Sequence, residues 1–143
     1  MAKLLVIDDD RAYREYLDRV LTRAGHSVTT AANGARIVQI AKEASFDAVL
    51  TDLYMPECDG IETIARLRAV LPHLPIIGMT GNAGAVDDPC SRAMRLFGAV
   101  AVLEKPLDRQ RLLATIEGAI AAAAAARAGR PARPRDRRSC RVA

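Results

Sequence analysis

Residues 4–10 read Leu-Leu-Val-Ile-Asp-Asp-Asp, an unbroken apolar run that ends in three carboxylates. Apolar runs without alternation are typical of strands that are buried on both faces, as in a parallel sheet. Three later apolar runs and one more polar run complete a set of five predicted strands: 26–30, 48–51, 75–79 and 100–104. The sequence therefore predicts a sheet whose strands are short, parallel and mostly buried.

Helical periodicity fills the intervals between these strands. After the first strand, apolar residues recur at helical spacing from Tyr13 to Ala24, and Gly25 is a natural stop. Four further helices are predicted to begin near Asn33–Gly34, Asp59–Gly60, Asp88 and Asp108, the last of which can cap its helix. Strands that alternate with helices predict an α/β fold with a doubly wound, five-stranded parallel sheet.

In doubly wound sheets the functional crevice lies at the carboxyl ends of the strands. The residues that end the predicted strands are Asp8, Asp9, Asp52, Thr80 and Lys105. Two carboxylates about 4 Å apart repel by roughly 4 kcal/mol at an effective dielectric near 20, so this cluster calls for a cation. Oxygen ligands suit a hard divalent ion, and Mg²⁺ is common where phosphate is handled.

A carboxylate beside Mg²⁺ and lysine is equipped to accept a phosphoryl group. Asp52 is the best candidate because its strand runs through the middle of the pattern. Asp9 is expected to bind the metal directly, Asp8 directly or through water, and the Tyr54 carbonyl completes the set. Thr80 is suited to donate its hydroxyl to a new phosphoryl oxygen.

Taken together, these motifs resemble the receiver domain of bacterial response regulators, the family of the chemotaxis response regulator. The motifs are residues 4–10, 47–56 with Asp59–Gly60, 75–80 and 103–106, and the resemblance covers about residues 3–120. It implies a (βα)5 flavodoxin-like fold with strand order 2-1-3-4-5. It also implies that a sensor histidine kinase or a histidine phosphotransfer protein phosphorylates Asp52.

The resemblance further implies roles for individual residues. Mg²⁺ is held by Asp8, Asp9, Asp52 and the Tyr54 carbonyl. Thr80 and Lys105 carry the switch. Pro56, Gly60 and Pro106 are structural residues near the site, and the Lys105–Pro106 bond is often cis. The fourth helix, fifth strand and fifth helix form the expected face for a homodimer.

Three departures from the family pattern concern the readout. Val102 stands three residues before Lys105, where the family usually has the aromatic residue whose rotamer reports activation. Gly81 replaces a slightly larger residue after Thr80, and the stretch from Thr80 to Lys105 is a few residues longer than usual. We therefore expect the fourth helix and fifth strand to signal differently here.

Charge divides the chain into an acidic domain, residues 1–126, and a basic tail, residues 127–143. The tail contains seven Arg and one Asp, a net +6, so with +4 for the whole chain the remainder carries −2 and is net acidic. The tail is expected to be disordered. A solvated tail, a partner-docking segment and weak contact with anionic surfaces are three interpretations that stay open, and no specific DNA binding is predicted.

The remaining bulk features are unexceptional. No apolar run approaches the length that spans a bilayer, and residues 4–7 are too short for a signal peptide, so a cytoplasmic protein is expected. Three cysteines without CxxC spacing are expected to be free thiols. His26 and His73 are read as surface residues, and Tyr13 and Tyr16 as residues that cover the core.

Three functional hypotheses follow from the residues. The first is a phosphorelay switch that lacks its own output domain and is not an enzyme beyond slow self-dephosphorylation. The second is a phosphatase of the haloacid-dehalogenase type, which needs a second Asp two residues after its nucleophile. Tyr54 occupies that place after Asp52, whereas Asp8 and Asp10 have the right separation. The third is an inactive receiver that serves as a binding module.

Overall fold

The predicted strands and helices alternate in the computed structural model, which describes residues 1–53, 60–81 and 89–129, with only the backbone at 89–91. The strands are β1 (Lys3–Ile7), β2 (Ser27–Ala31), β3 (Ala48–Asp52), β4 (Ile76–Thr80) and β5 (Ala101–Glu104). The helices within these residues are α1 (Arg11–Arg23), α2 (Ile37–Glu43), α3 (Gly60–Val70), α4 (Pro89–Leu96) and α5 (Arg109–Ala128).

All neighbouring strands pair in parallel, in the order β2-β1-β3-β4-β5. The predicted fold class and strand order are therefore confirmed. The register sets Ile7 beside Thr51 and Asp52 beside Met79, while Thr80 lies beside Glu104. Because these partners all lie at strand ends, the residues that leave β1, β3, β4 and β5 emerge at one edge of the sheet.

Two aliphatic layers cover the sheet, one on each face. On one face α1 and α5 bury Leu4, Val6, Leu17, Leu50, Met79, Leu112 and Ile116. On the other face α2, α3 and α4 bury Leu5, Ile7, Ile37, Ile64, Leu67, Ile76 and Met94. Each buried Leu or Ile contributes about 1.5–3 kcal/mol relative to an exposed one, so the strands are held from both sides.

The side-chain caps at the helix starts differ from one helix to the next. Asp10 caps α1, because its carboxylate accepts hydrogen bonds from the backbone N–H groups of Ala12 and Tyr13. The predicted start of α2 at Asn33–Gly34 is wrong, because Asn33 accepts from the Ala35 N–H within a turn and α2 begins only at Ile37. Asp108 occupies the N-cap position of α5, but its side chain makes no capping hydrogen bond.

An alanine-rich stretch continues α5 to its end. The helix is 20 residues long, reaches Ala128 and ends at Gly129, whose N–H donates to the Ala125 carbonyl. Arg127 therefore lies in the helix, and residues 130–143 lie outside the described part. Neither α5 nor another helix among the described residues combines the length and apolarity required to cross a membrane.

Gly60 allows α3 to begin directly against the end of β3. A Cβ built on Gly60 would collide with the Asp52 carbonyl oxygen and lie 2.7 Å from the Leu53 Cα. The Gly60 N–H also donates to the Leu53 carbonyl over 3.1 Å. These neighbours are backbone atoms and cannot rotate away, so a side chain here would push α3 off the strand that carries Asp52.

We predict that Gly60→Ala lowers the free energy of unfolding by about 1–3 kcal/mol, as overpacking does elsewhere. Gly118→Ala is the matched control, because Gly118 is exposed on α5 with open space around its Cα. That control should raise stability by about 0.5–1 kcal/mol, since alanine favours a helix over glycine. Urea unfolding followed by circular dichroism measures both, and equal effects of the two substitutions would contradict the close approach.

Candidate functional site

Strand alternation places three of the predicted site residues on the same face of the sheet. Asp8, Asp52 and Lys105 continue the α1/α5 face that carries Val6, Leu50 and Leu103. Thr80 instead follows Ile76 and Gly78, on the face covered by α4, and it is also buried. The edge of the sheet therefore carries a charged group on one side and the Thr80 hydroxyl on the other.

The ammonium of Lys105 holds the two buried carboxylates together. Its Nζ donates to Asp8 Oδ2 over 2.8 Å and lies 3.6 Å from Asp52 Oδ2. The second oxygen of each carboxylate accepts a backbone N–H, that of Asp10 for Asp8 (3.0 Å) and that of Leu53 for Asp52 (2.9 Å). Both carboxylates are thus oriented by main-chain donors and not only by charge.

Asp8, Asp9 and Asp52 form a group that can hold a metal ion. One carboxylate oxygen from each lies within 4.8 Å of the others, with Asp8 and Asp52 buried and Asp9 exposed. Oxygen ligands at this spacing fit a hard divalent cation such as Mg²⁺ or Ca²⁺. The third aspartate of the motif, Asp10, is not in the group because its side chain caps α1.

Burial and charge shift the pKa values of the central groups. Burial raises the pKa of Asp52 to about 6, Lys105 opposes this rise, and the neighbouring Asp8 and Asp9 add to it. For Lys105, burial works to lower the pKa, but the hydrogen bond to Asp8 and the charges of Asp52 and Asp8 outweigh it and raise the pKa above the ordinary lysine value. Lys105 is therefore cationic at neutral pH.

Of the other predicted site residues, Thr80, Gly60 and Pro106 lie within the described part of the chain, and Tyr54 and Pro56 do not. Thr80 is 2% exposed, and its carbonyl accepts the Lys105 N–H over 2.7 Å, which ties the end of β4 to the lysine. The Lys105–Pro106 bond is cis, and Gly60 packs on β3 as described. Tyr54 and Pro56 lie outside the described residues, so their predicted places at the site stay predictions.

The sequence did not indicate the contribution of α1 to the site. Tyr13 was expected only to cover the core, yet its ring lies under the Lys105 ammonium, with Nζ 4.4 Å from the ring centroid. Arg14 donates from Nη1 to the Asp8 carbonyl over 2.6 Å. Both residues lie in the first turn of α1, directly after Asp10, and that turn borders the strand ends. Their position in the sequence could therefore have indicated that they contact the site.

Tyr16 also departs from prediction, because it is 43% exposed and does not cover the core. Leu17 occupies the inward position, and neighbouring residues of a helix point about 100° apart around its axis. Tyr16 is therefore turned toward solvent, with its ring centroid 5.8 Å from that of Tyr13.

The fold and the site define a doubly wound α/β domain with an acidic, metal-compatible crevice at the carboxyl edge of its sheet. The chain belongs to the response regulator receiver domain family, whose model matches residues 4–117. The receiver protein CpdR of Brucella abortus is 37% identical over 123 residues, which are 86% of this chain and 100% of CpdR. FixJ of Bradyrhizobium diazoefficiens is 39% identical over 120 residues, 84% of this chain and 57% of FixJ.

Solved structures agree with this assignment. A receiver domain protein from Clostridium thermocellum superimposes with a TM-score of 0.78 at 32% identity, covering 88% of this chain and 99% of that one. The chemotaxis protein CheY4 of Vibrio cholerae superimposes with a TM-score of 0.76 at 30% identity, covering 83% of this chain and 98% of CheY4. The match spans all of CpdR but little more than half of FixJ and about a quarter of regulators such as ZraR of Escherichia coli.

The raised pKa of Asp52 predicts how stability depends on pH without metal. The folded protein binds more protons than the unfolded chain between pH 3.8 and about 6, so wild-type stability falls as pH rises through that window. In EDTA at pH 7, Asp52→Asn should therefore exceed the wild type by about 1–3 kcal/mol in free energy of unfolding.

Urea titrations at several pH values measure this difference, which should shrink toward zero near pH 4. Glu117→Gln removes the same charge from an exposed position on α5 and is expected to change stability little at any pH. An advantage of Asp52→Asn that is unchanged between pH 4 and pH 7 would show that buried charge is not its cause.

Proposed function

We propose that this receiver domain is a phosphorylation switch of two-component signalling in which Asp52 is the phosphoacceptor. The observation that carries the proposal is the buried Asp52 carboxylate, which shares one ammonium with Asp8 and lies in a three-carboxylate group. Receiver domains are phosphorylated by histidine kinases or histidine phosphotransfer proteins. The donor for this chain is accordingly a phosphohistidine on one of these two kinds of protein.

In the transfer step, an Asp52 carboxylate oxygen attacks the phosphorus of the phosphohistidine. The new O–P bond forms as the N–P bond breaks, and the donor imidazole leaves with the electron pair and takes up a proton from solvent. The Leu53 N–H holds Asp52 Oδ1, so the carboxylate is oriented before the reaction. Lys105 provides positive charge for the equatorial phosphoryl oxygens, on which negative charge resides in the transition state.

Asp8, Asp9 and Asp52 are the proposed Mg²⁺ ligands, with the Tyr54 carbonyl as the predicted fourth protein ligand. Their hard oxygen atoms, which lie within 4.8 Å of one another, support this assignment. When bound, Mg²⁺ supplies positive charge to the carboxylates and to the transferring phosphoryl group. The fully buried Asp8 also keeps Lys105 close to Asp52, so the chain itself provides one of the required cations.

Thr80 is the proposed sensor of the new phosphoryl group. Its carbonyl already accepts the Lys105 N–H, so a movement of the Thr80 backbone is transmitted directly to the β5 end. β4 then leads toward α4, where Leu96, Phe97 and the nearby Val100 are exposed apolar residues. These residues support the α4–β5–α5 face as the surface that contacts a partner or a second copy.

The capping role of Asp10 argues against a phosphatase of the haloacid-dehalogenase type. Such an enzyme would need Asp10 as the second acid beside Asp8. The Asp10 carboxylate instead accepts the N–H groups of Ala12 and Tyr13 at the start of α1. This geometry supports a phosphoacceptor with at most slow self-dephosphorylation, and the complete charged set supports an active receiver over an inactive binding module.

Incubation with radiolabelled acetyl phosphate and Mg²⁺ tests the proposal. The wild type should incorporate acid-stable, base-labile label, and Asp52→Asn should incorporate none. EDTA should abolish uptake because the transferring phosphoryl group then lacks the divalent cation and keeps only the charge of Lys105. Asp47→Asn is the matched control, since Asp47 precedes the opposite end of β3 and is exposed. Equal uptake by the wild type and Asp52→Asn would refute Asp52 as the phosphoacceptor.

If Thr80 is the sensor, its substitution should leave phosphorylation of Asp52 intact but remove the conformational change that follows. Thr80→Ala should still be labelled by acetyl phosphate but lose most of the beryllofluoride-induced change in the Gly81 and Lys105 amide resonances. Thr80→Ser keeps the hydroxyl and should retain that change. The readout is a pair of nitrogen–proton correlation spectra, and an unchanged response in Thr80→Ala would remove Thr80 from the switch.

A further inference from the structure

Tyr13 contacts the segment around Lys105 at two separate points. The face of its ring lies against the ammonium, with Nζ 4.4 Å from the centroid, within the range of a cation–π interaction. Its hydroxyl accepts the backbone N–H of Leu107 over 3.1 Å, two residues beyond the lysine. One side chain from α1 thus holds both the head group of Lys105 and the main chain that follows it.

The position of Tyr13 is itself well determined. Its backbone N–H donates to the capping carboxylate of Asp10, and its ring packs against the core between α1 and α5. Lysine, in contrast, carries its charge on a flexible four-carbon stem. A ring fixed by the α1 cap is therefore able to limit where the ammonium rests.

We propose that Tyr13 is a positioning residue for Lys105. Its ring keeps the ammonium between Asp8 and Asp52, and its hydroxyl anchors the connection from β5 to α5 to the first turn of α1. The effect on phosphorylation rests on the proposed function of Asp52, whereas the placement of the ammonium does not.

The location of Tyr13 distinguishes it from the aromatic position that Val102 occupies. Val102 packs with the α2, α3 and α4 face, beside Gly78, whereas Tyr13 packs on the α1/α5 face. The Tyr13 ring contacts the lysine, whereas Thr80 follows Gly78 on the face that α4 covers. The aromatic contact of this site is therefore made by Tyr13, on the α1/α5 face of the sheet, and its partner is Lys105.

Two substitutions separate the contacts. Tyr13→Phe keeps the ring and removes the hydroxyl, so its initial rate of labelling by acetyl phosphate should stay within about twofold of wild type. Tyr13→Leu removes the ring and should slow labelling by about threefold to tenfold, the range that a partly desolvated cation–π contact supports. Tyr16→Leu removes a ring from the same helix and should label at the wild-type rate.

A double-mutant cycle with Lys105→Ala tests whether Tyr13 acts through the lysine. In the Lys105→Ala background, Tyr13→Leu should cause no further loss, because the group it positions is absent. An equal further loss in that background, or equal rates for Tyr13→Leu and Tyr13→Phe, would overturn the proposal.

The ring current of Tyr13 gives a readout that does not depend on phosphorylation. The Lys105 ε-methylene protons should resonate upfield of ordinary lysine values in the wild type and Tyr13→Phe, and should return to ordinary values in Tyr13→Leu. Ordinary values in the wild type would overturn the proposal even if Tyr13→Leu fails to fold. A wild type that takes up no label would refute the proposed function, and the ring current alone would then decide the position of Lys105.

Discussion

The ion pair between Asp8 and Lys105 joins the ends of β1 and β5, which are separated by β3 and β4 in the sheet. Asp8 is fully buried, so its charge is tolerated only because Lys105 and a backbone N–H compensate it. Loss of one partner of such a pair costs about 3–5 kcal/mol elsewhere. Asp52 lies 3.6 Å from the same ammonium, so the position of that ammonium affects the charge balance at both buried carboxylates.

One lysine does not neutralise three clustered carboxylates. Burial is the main cause that raises the pKa of Asp52 to about 6, and the charges of Asp8 and Asp9 add to it against Lys105. This imbalance destabilises the folded protein without a cation, and it also favours an incoming divalent ion. Stability is thus reduced at the carboxylate group that can hold a metal ion, a pattern expected of functional sites in otherwise consistent folds.

Side chains of the first turn of α1 and of its N-cap hold several parts of the site in place. Asp10 caps the helix, Tyr13 contacts Lys105 and Leu107, and Arg14 donates to the Asp8 carbonyl. These three side chains connect α1 with the end of β1 and with the β5–α5 connection. The same turn contacts the end of β1, which carries Asp8, and the β5–α5 connection, which begins at Lys105. A displacement of one of these segments is therefore expected to displace the other.

The local pattern alone indicated the alternating strands and helices and the strand-end residues Asp8, Asp52 and Lys105, whereas the strand order came from the family resemblance. Apolar runs followed by charge predict strands that end at one edge, because a parallel sheet aligns its carboxyl ends. Only the tertiary structure decided that α2 starts at Ile37, that Asp10 caps α1 instead of joining the acidic group, and that Tyr13 faces Lys105. The contact of Tyr13 with Lys105 joins residues far apart in the chain, and its geometry depends on how α1 packs against the sheet. The Asp10 cap and the turn at Asn33 are local hydrogen bonds, but apolar periodicity does not encode which polar side chain accepts which N–H group.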